Sequence, residues 1–129
     1  MKTKFNRDWK KSENQGKKRK YKINAPNHIK SGFISSHLSE KLREKFNKRA
    51  ARVRKGDTVK IMRGQFSGKT GKVERIDVKR ERVYIAGVEI HKKDGSKSFY
   101  PVHPSKILIT DLVLDDKKRK NALERKQEK

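Results

Sequence analysis

The segment Gly64-Gln65-Phe66-Ser67-Gly68-Lys69-Thr70 comes nearest to a chemical motif in this chain, with glycines, a lysine and a hydroxyl in the order of a phosphate-binding loop. A nucleotide-binding loop of that kind needs four residues between its first glycine and the Gly-Lys-Ser/Thr triplet. It also needs a following helix whose N-terminal amides receive the phosphates. Here three residues intervene, and Thr70 is followed by Gly71 and alternating β-branched residues, so the nucleotide-site reading fails on both counts. What remains is a basic loop punctuated by glycines that tolerate positive φ. Arg63 and Lys69 flank it, and Phe66 has no obvious core to enter. That combination suits a loop laid against a phosphate backbone.

Other chemistry is not supported. His28, His37, His91 and His103 are scattered without an i,i+4 or HExxH spacing, which leaves a metal no ligand set. The absence of cysteine removes disulfides, thiolate zinc sites and thiol nucleophiles. Asp115-Asp116 lies beside four consecutive cations and reads as the salt-bridged start of a tail helix rather than an acid/base pair. No serine sits on a strained elbow with a base beside it. The expectation is a non-enzyme with no cofactor and no metal. No run approaches the ~18 apolar residues of a membrane helix, and Lys2 and Lys4 are not followed by the apolar stretch of a secretory signal. A cytoplasmic, soluble protein with no membrane segment is expected.

Charge names the class of partner. Of 129 residues, 41% are charged and only 30% hydrophobic, and 38 Lys and Arg against 15 Asp and Glu give a net charge of +23. Self-repulsion of that size destabilises a compact chain unless a polyanion neutralises it, and nucleic acid is the natural candidate. Seventeen of those net charges lie outside residues 55–114, the one segment dense enough in aliphatic and aromatic residues to bury a core. Four segments follow: a basic extended arm (1–38), a helix and linker (39–54), a β domain (55–114) and a basic tail (115–129).

Short strands hold the loop at both ends. Residues 57–63 alternate Val59 and Ile61 with Thr58, Lys60 and Met62, and residues 70–78 are rich in β-branched side chains. Further strand-like runs cover 82–90, 98–102 and 106–114. Lys79-Arg80-Glu81 forms the first hairpin link, Asp94-Gly95 is a hairpin-turn signal, Gly87 suggests a bulge and Pro101 an edge. The fold class is mainly β: a small five-stranded SH3-like barrel with a preceding α-helix and extended basic N- and C-terminal segments. That helix is predicted from residue 39 to about 51, with Leu38, Leu42 and Phe46 in a narrow stripe, a Glu44–Lys48 pair, and Ser36 or Ser39 as cap. Residues 1–21 show no hydrophobic period, so the arm reads as disordered when free, its Phe5, Trp9 and Tyr21 available to stack on bases, on another protein or back on the domain. The tail reads equally as a short surface helix or a frayed end.

Arg54-Lys55-Gly56-Asp57 with Gly64, Gly68 and Gly71-Lys72-Val73 resembles the KOW motif, a β-hairpin shared by certain ribosomal proteins and transcription elongation factors. Around it, Asn24-Ala25-Pro26-Asn27-His28-Ile29, Ser35-Ser36-His37-Leu38-Ser39, Leu42-Arg43-Glu44-Lys45-Phe46, His103-Pro104-Ser105-Lys106-Ile107 and Leu123-Glu124-Arg125-Lys126 resemble one ribosomal large-subunit family. Its members are numbered twenty-four in archaea and twenty-six in eukaryotes. The resemblance spans about residues 5–126, and His37 departs from it where eukaryotic members often carry proline.

The resemblance implies an SH3-like barrel bound to large-subunit rRNA, assembling early near the mouth of the peptide exit tunnel. Neighbouring ribosomal proteins would be its partners, with nascent-chain factors as further candidates. It implies rRNA contact by the loop of Arg63, Gly64, Gln65, Phe66 and Lys69 and by Gly71 and Lys72. Asn24 and His28 would run along RNA, while His103, Ser105 and Lys106 would end a barrel strand. On charge, Arg52, Arg54, Arg63, Lys69 and Lys72 are the barrel-side phosphate contacts, and Lys17, Lys18, Arg19, Lys20 and Lys22 those of the arm. Trp9 and Tyr21 complete the arm's share, and Phe66 is either a base stacker or a brace for its loop. An elongation-factor KOW module contacting polymerase is the alternative, and a histone-like DNA-compacting protein a third reading. The first usually sits in a longer chain, and the second lacks a dimerising helix pair here.

Overall fold

Alternation of aliphatic and polar side chains in the middle of the chain produces a sheet, and the charged flanks produce short helices laid around it. The computed structural model describes residues 4–125. In order come a 3-10 turn (Arg7–Lys11), helices α1 (Gln15–Asn24) and α2 (Asn27–Phe33), strand β1 (Ser35–Leu38) and helix α3 (Glu40–Phe46). Strands β2 (Ala50–Arg52), β3 (Thr58–Ile61), β4 (Thr70–Asp77), β5 (Arg82–Ile85), β6 (Glu89–His91) and β7 (Lys97–Phe99) follow. A second 3-10 turn (Pro104–Lys106), strand β8 (Ile107–Asp111) and helix α4 (Lys117–Glu124) close the order.

Six strands form one sheet in the order β2-β1-β8-β3-β4-β5, in which only β1 and β8 run parallel. β6 and β7 form a separate hairpin whose turn carries Gly95 at φ +84 and is tightened by Ser96 donating to Asp94 Oδ1. The core is built from aliphatic side chains: Leu38, Val59, Val83, Ile85, Val88, Ile107 and Ile109 are fully buried. The architecture is mainly β and consistent with a small SH3-like domain.

Several expectations change. Five strands become eight among the described residues. The run 82–90 divides because Gly87, at φ +80, ends β5 in a turn instead of forming a bulge, and the turn brings Val88 into the core. The predicted helix ends at Phe46, because Asn47 adopts a left-handed conformation (φ +49), and Ala50–Arg52 then pairs with β1. Ser39 stands at the cap position without a side-chain hydrogen bond, while Ser36 is buried in β1 and donates its hydroxyl to Pro104 O at 2.8 Å. Lys48 donates to the carbonyl of Ala122 in α4 rather than pairing with Glu44.

The arm is helical, not extended. Asn14 caps α1 by accepting from the amides of Gly16 and Lys17, and Tyr21 packs on Phe5 at 5.1 Å and edge-on to Phe33 at 6.3 Å. These contacts supply the tertiary support that a ten-residue cationic helix lacks alone. Phe5 thus packs within the arm, and the buried Lys30 of α2 donates to Lys79 O in the β4–β5 turn at 3.4 Å. The tail is also a docked helix: Asp116 caps α4 and Leu123 is buried. The part of the tail at 126–129, Lys126 included, lies outside the described residues.

Candidate nucleic-acid interface

The β3–β4 loop is held by its own backbone. Gly64 and Gly68 take φ +103 and +86, which lets Ser67 N–H reach Gly64 O at 3.0 Å and Gly68 N–H reach Ile61 O at 2.8 Å. Gly71 serves another purpose: a β-carbon there would run into the carbonyl oxygen of Ala86 and approach Ile85 Cγ2 to 2.9 Å. Its bare α-carbon allows β4 and the end of β5 to pass closely. The loop is therefore a preformed turn carrying outward cations.

Phe66 is half-buried. Its ring lies 5.1 Å from that of Tyr100, and Lys69 Nζ lies 5.1 Å from its centroid. This arrangement braces the loop and leaves part of the ring pair open to an adjacent cleft of about 430 Å³. Arg63, Gly64, Gln65, Phe66, His103 and Lys106 all line the cleft. Arg63 also donates to Ser105 O at 2.9 Å, joining the loop to the turn before β8. Arg82 and Tyr100, which no local sequence pattern marks as site residues, line the same cleft. The Tyr100-Pro101 pair, an aromatic beside a residue that cannot pair as a donor, was the available signal for an open edge.

His103 caps that turn. Its Nδ1 accepts from Ser105 N–H at 3.2 Å and lies 2.8 Å from the Ser105 hydroxyl, which places the ring proton on Nε2. Burial first, then the positive charge of Arg82, with Lys22 and Lys106 adding, hold its pKa below the ordinary histidine value against the opposing pull of Glu81.

Within α1, Lys17, Lys18, Arg19, Lys20 and Lys22 are all exposed, and Tyr21 takes the inward position. Asn24 ends the helix, exposed. His28 lines a second, shallow groove with Arg7 and Lys10, and Trp9 stands on the preceding 3-10 turn with 39% of its surface exposed. Lys72 is exposed on β4. Arg52 and Arg54 are engaged within the protein: Arg52 donates to Ser31 Oγ at 3.4 Å, and Arg54 pairs with Asp116. The hydrogen bond from Arg54, followed by that from Lys118 N–H, holds the Asp116 carboxyl below the usual carboxylate range. The predicted residues thus fall into a group at and beside the cleft, a helix group and scattered positions rather than one patch. Among the described residues no helix is long and apolar enough to cross a membrane.

Comparison with known proteins gives the chain a family. Residues 12–126 match the family described as ribosomal proteins L26 of eukaryotes and L24 of archaea. The large ribosomal subunit protein uL24 of Methanocella arvoryzae is 53% identical over 110 residues, covering 85% of this chain and 89% of that protein. Its counterpart in Methanosphaera stadtmanae is 47% identical over 115 residues, covering 89% and 98%. The uL24 of Korarchaeum cryptofilum is 45% identical over 116 residues, covering 90% and 88%. These relatives are structural ribosomal proteins and not enzymes. The match takes in the arm from residue 12 and the tail helix as well as the KOW hairpin, and the chain belongs to the archaeal and eukaryotic uL24 family of ribosomal proteins.

Proposed function

We propose that the chain is a structural constituent of the large ribosomal subunit, bound to its rRNA. It joins early in assembly and lies near the mouth of the peptide exit tunnel of the cytoplasmic ribosome. Neighbouring ribosomal proteins are its partners, and factors that meet the nascent chain are further candidates. The observation that carries this reading is the convergence of Arg63, Arg82 and Lys106 on a cleft walled by Phe66 and Tyr100, in a member of a ribosomal family.

Phosphate contacts by lysine and arginine supply affinity through counterion release and carry no sequence information. Selectivity then comes from shape. The sheet fixes the β3–β4 loop and the turn before β8 in one geometry, and α1 adds an exposed cationic helix, so a folded RNA surface must match both together. The rRNA contacts proposed are the cleft-lining residues Arg63, Gly64, Gln65, Phe66, His103 and Lys106, with Lys69 and Ser105 beside them in the loop and the turn before β8. The helix contributes Lys17 to Lys20, Tyr21, Lys22 and Asn24, with Trp9, His28, Arg52, Arg54 and Lys72 at the periphery. Filter binding to purified large-subunit rRNA across a salt series tests the reading. A log–log slope corresponding to several phosphate contacts, with weaker binding to small-subunit rRNA, supports it; equal binding to both would overturn it.

A further inference from the structure

Resting on the rRNA-binding reading, we infer that the cleft between the β3–β4 loop and the Tyr100–His103 segment takes a single unpaired nucleotide, its base inside and its phosphate at the rim.

The floor is apolar, formed by the buried Ile61 and Val102, and one side is the tilted Phe66–Tyr100 ring pair. The rim is cationic, with Arg63, Arg82 and Lys106 around the opening. A lining that joins aromatic and aliphatic side chains to cations, with Gln65 and His103 among them, matches a nucleotide, whose base offers a π-face and polar edges and whose phosphate offers charge. At about 430 Å³ the cleft falls within the ~300–1,000 Å³ range of small-ligand sites. A duplex presents a convex ridge of phosphates that would touch the rim and leave the floor empty, whereas unstacked bases of loops and bulges can enter a concavity. Arg63 is held at the rim by its bond to Ser105 O, and Lys69 backs the Phe66 ring, so both charge and platform are in place before a ligand arrives. An acidic peptide with an aromatic side chain is the competing occupant; its ring and charge sit on separate flexible side chains, whereas a nucleotide joins base and phosphate through one sugar and loses less freedom in a preformed cleft.

The test compares a six-nucleotide single-stranded RNA carrying one 2-aminopurine with a blunt duplex of the same sequence, at one salt concentration and equal phosphate. Saturable quenching of 2-aminopurine by the wild-type protein is expected. Tyr100→Leu and Phe66→Leu should each weaken the single strand by about 5-fold or more while leaving the duplex unchanged. The wild-type signal stands whether or not either variant folds. Equal responses of single strand and duplex, or stronger displacement of the single strand by a Glu-Tyr-Glu peptide than by unlabelled RNA, would overturn the inference. Retained salt-dependent binding to large-subunit rRNA without quenching removes only the nucleotide site, and loss of both removes the rRNA reading.

Discussion

The guanidinium of Arg119 grips the carboxylate of Asp57 with two nitrogens, at 2.7 and 2.6 Å, and both side chains are buried. Asp57 also accepts from the amides of Arg54 and Val113, while Arg119 donates to the carbonyls of Arg52 and Val113. The pair ties α4 to the entry of the KOW hairpin with its hydrogen-bonding groups well used. A tail residue therefore holds the loop-bearing sheet.

Removing one partner of a buried pair leaves an uncompensated charge, at a cost of about 3–5 kcal/mol. Arg119→Met should lower unfolding free energy by that amount in urea titrations, and adding Asp57→Asn should recover part of it. A loss below about 1 kcal/mol would show that the pair behaves as a surface contact.

Gly71 and Gly68 should fail for different reasons. Alanine at 71 meets the backbone oxygen of Ala86, which cannot swing away, so a loss of about 1–3 kcal/mol is expected. At 68 nothing lies within 4 Å of the added carbon, and only the positive φ resists, for a smaller loss of about 1 kcal/mol. Thermal melts of the two variants should rank them in that order.

How much of this was legible in the sequence follows from the kind of signal each element leaves. Val59 and Ile61 alternate with polar neighbours, so β3 and its partner were readable, as was the Asp94-Gly95 turn. β1 and β2 are three or four residues long and flank a helix, so they offer no period to detect. The helical arm escapes a charge count, which sees neither the Asn14 cap nor the meeting of Tyr21 with Phe5 and Phe33. Arg119 is one cation in a run of four, and nothing local marks it as the buried one. The same holds for the cleft: Phe66 and Arg63 stood out in their loop, but Tyr100 and Arg82 join them only through the fold.

His103 predicts a pH dependence. Its folded-state pKa is depressed, so the folded chain resists protonation that the unfolded chain accepts near 6.5. The stabilisation from the neutral ring is present above that value and is lost as pH falls through the folded pKa. Protonation of Nδ1 would also remove the acceptor for Ser105 N–H. His103→Asn, which keeps an acceptor but does not titrate, should show a smaller drop in Tm between pH 7.5 and 5.5 than the wild type. Titration of the wild-type ring above 6.5 by NMR would contradict this.

The exposed cations of α1 should contribute electrostatic affinity. Replacing Lys17, Lys18, Arg19 and Lys20 with Gln should flatten the salt dependence of rRNA binding by about 0.7–0.9 for each phosphate that is no longer neutralised. The Tyr21 packing is left intact, so Tm should change little. An unchanged slope would place the affinity elsewhere.

Residence in the large ribosomal subunit can be read from cell extract sedimented through a sucrose gradient in moderate salt, with each fraction probed for the chain. The chain should travel with the large-subunit peak. Recovery at the top of the gradient, or with polymerase and not with ribosomal particles, would contradict it.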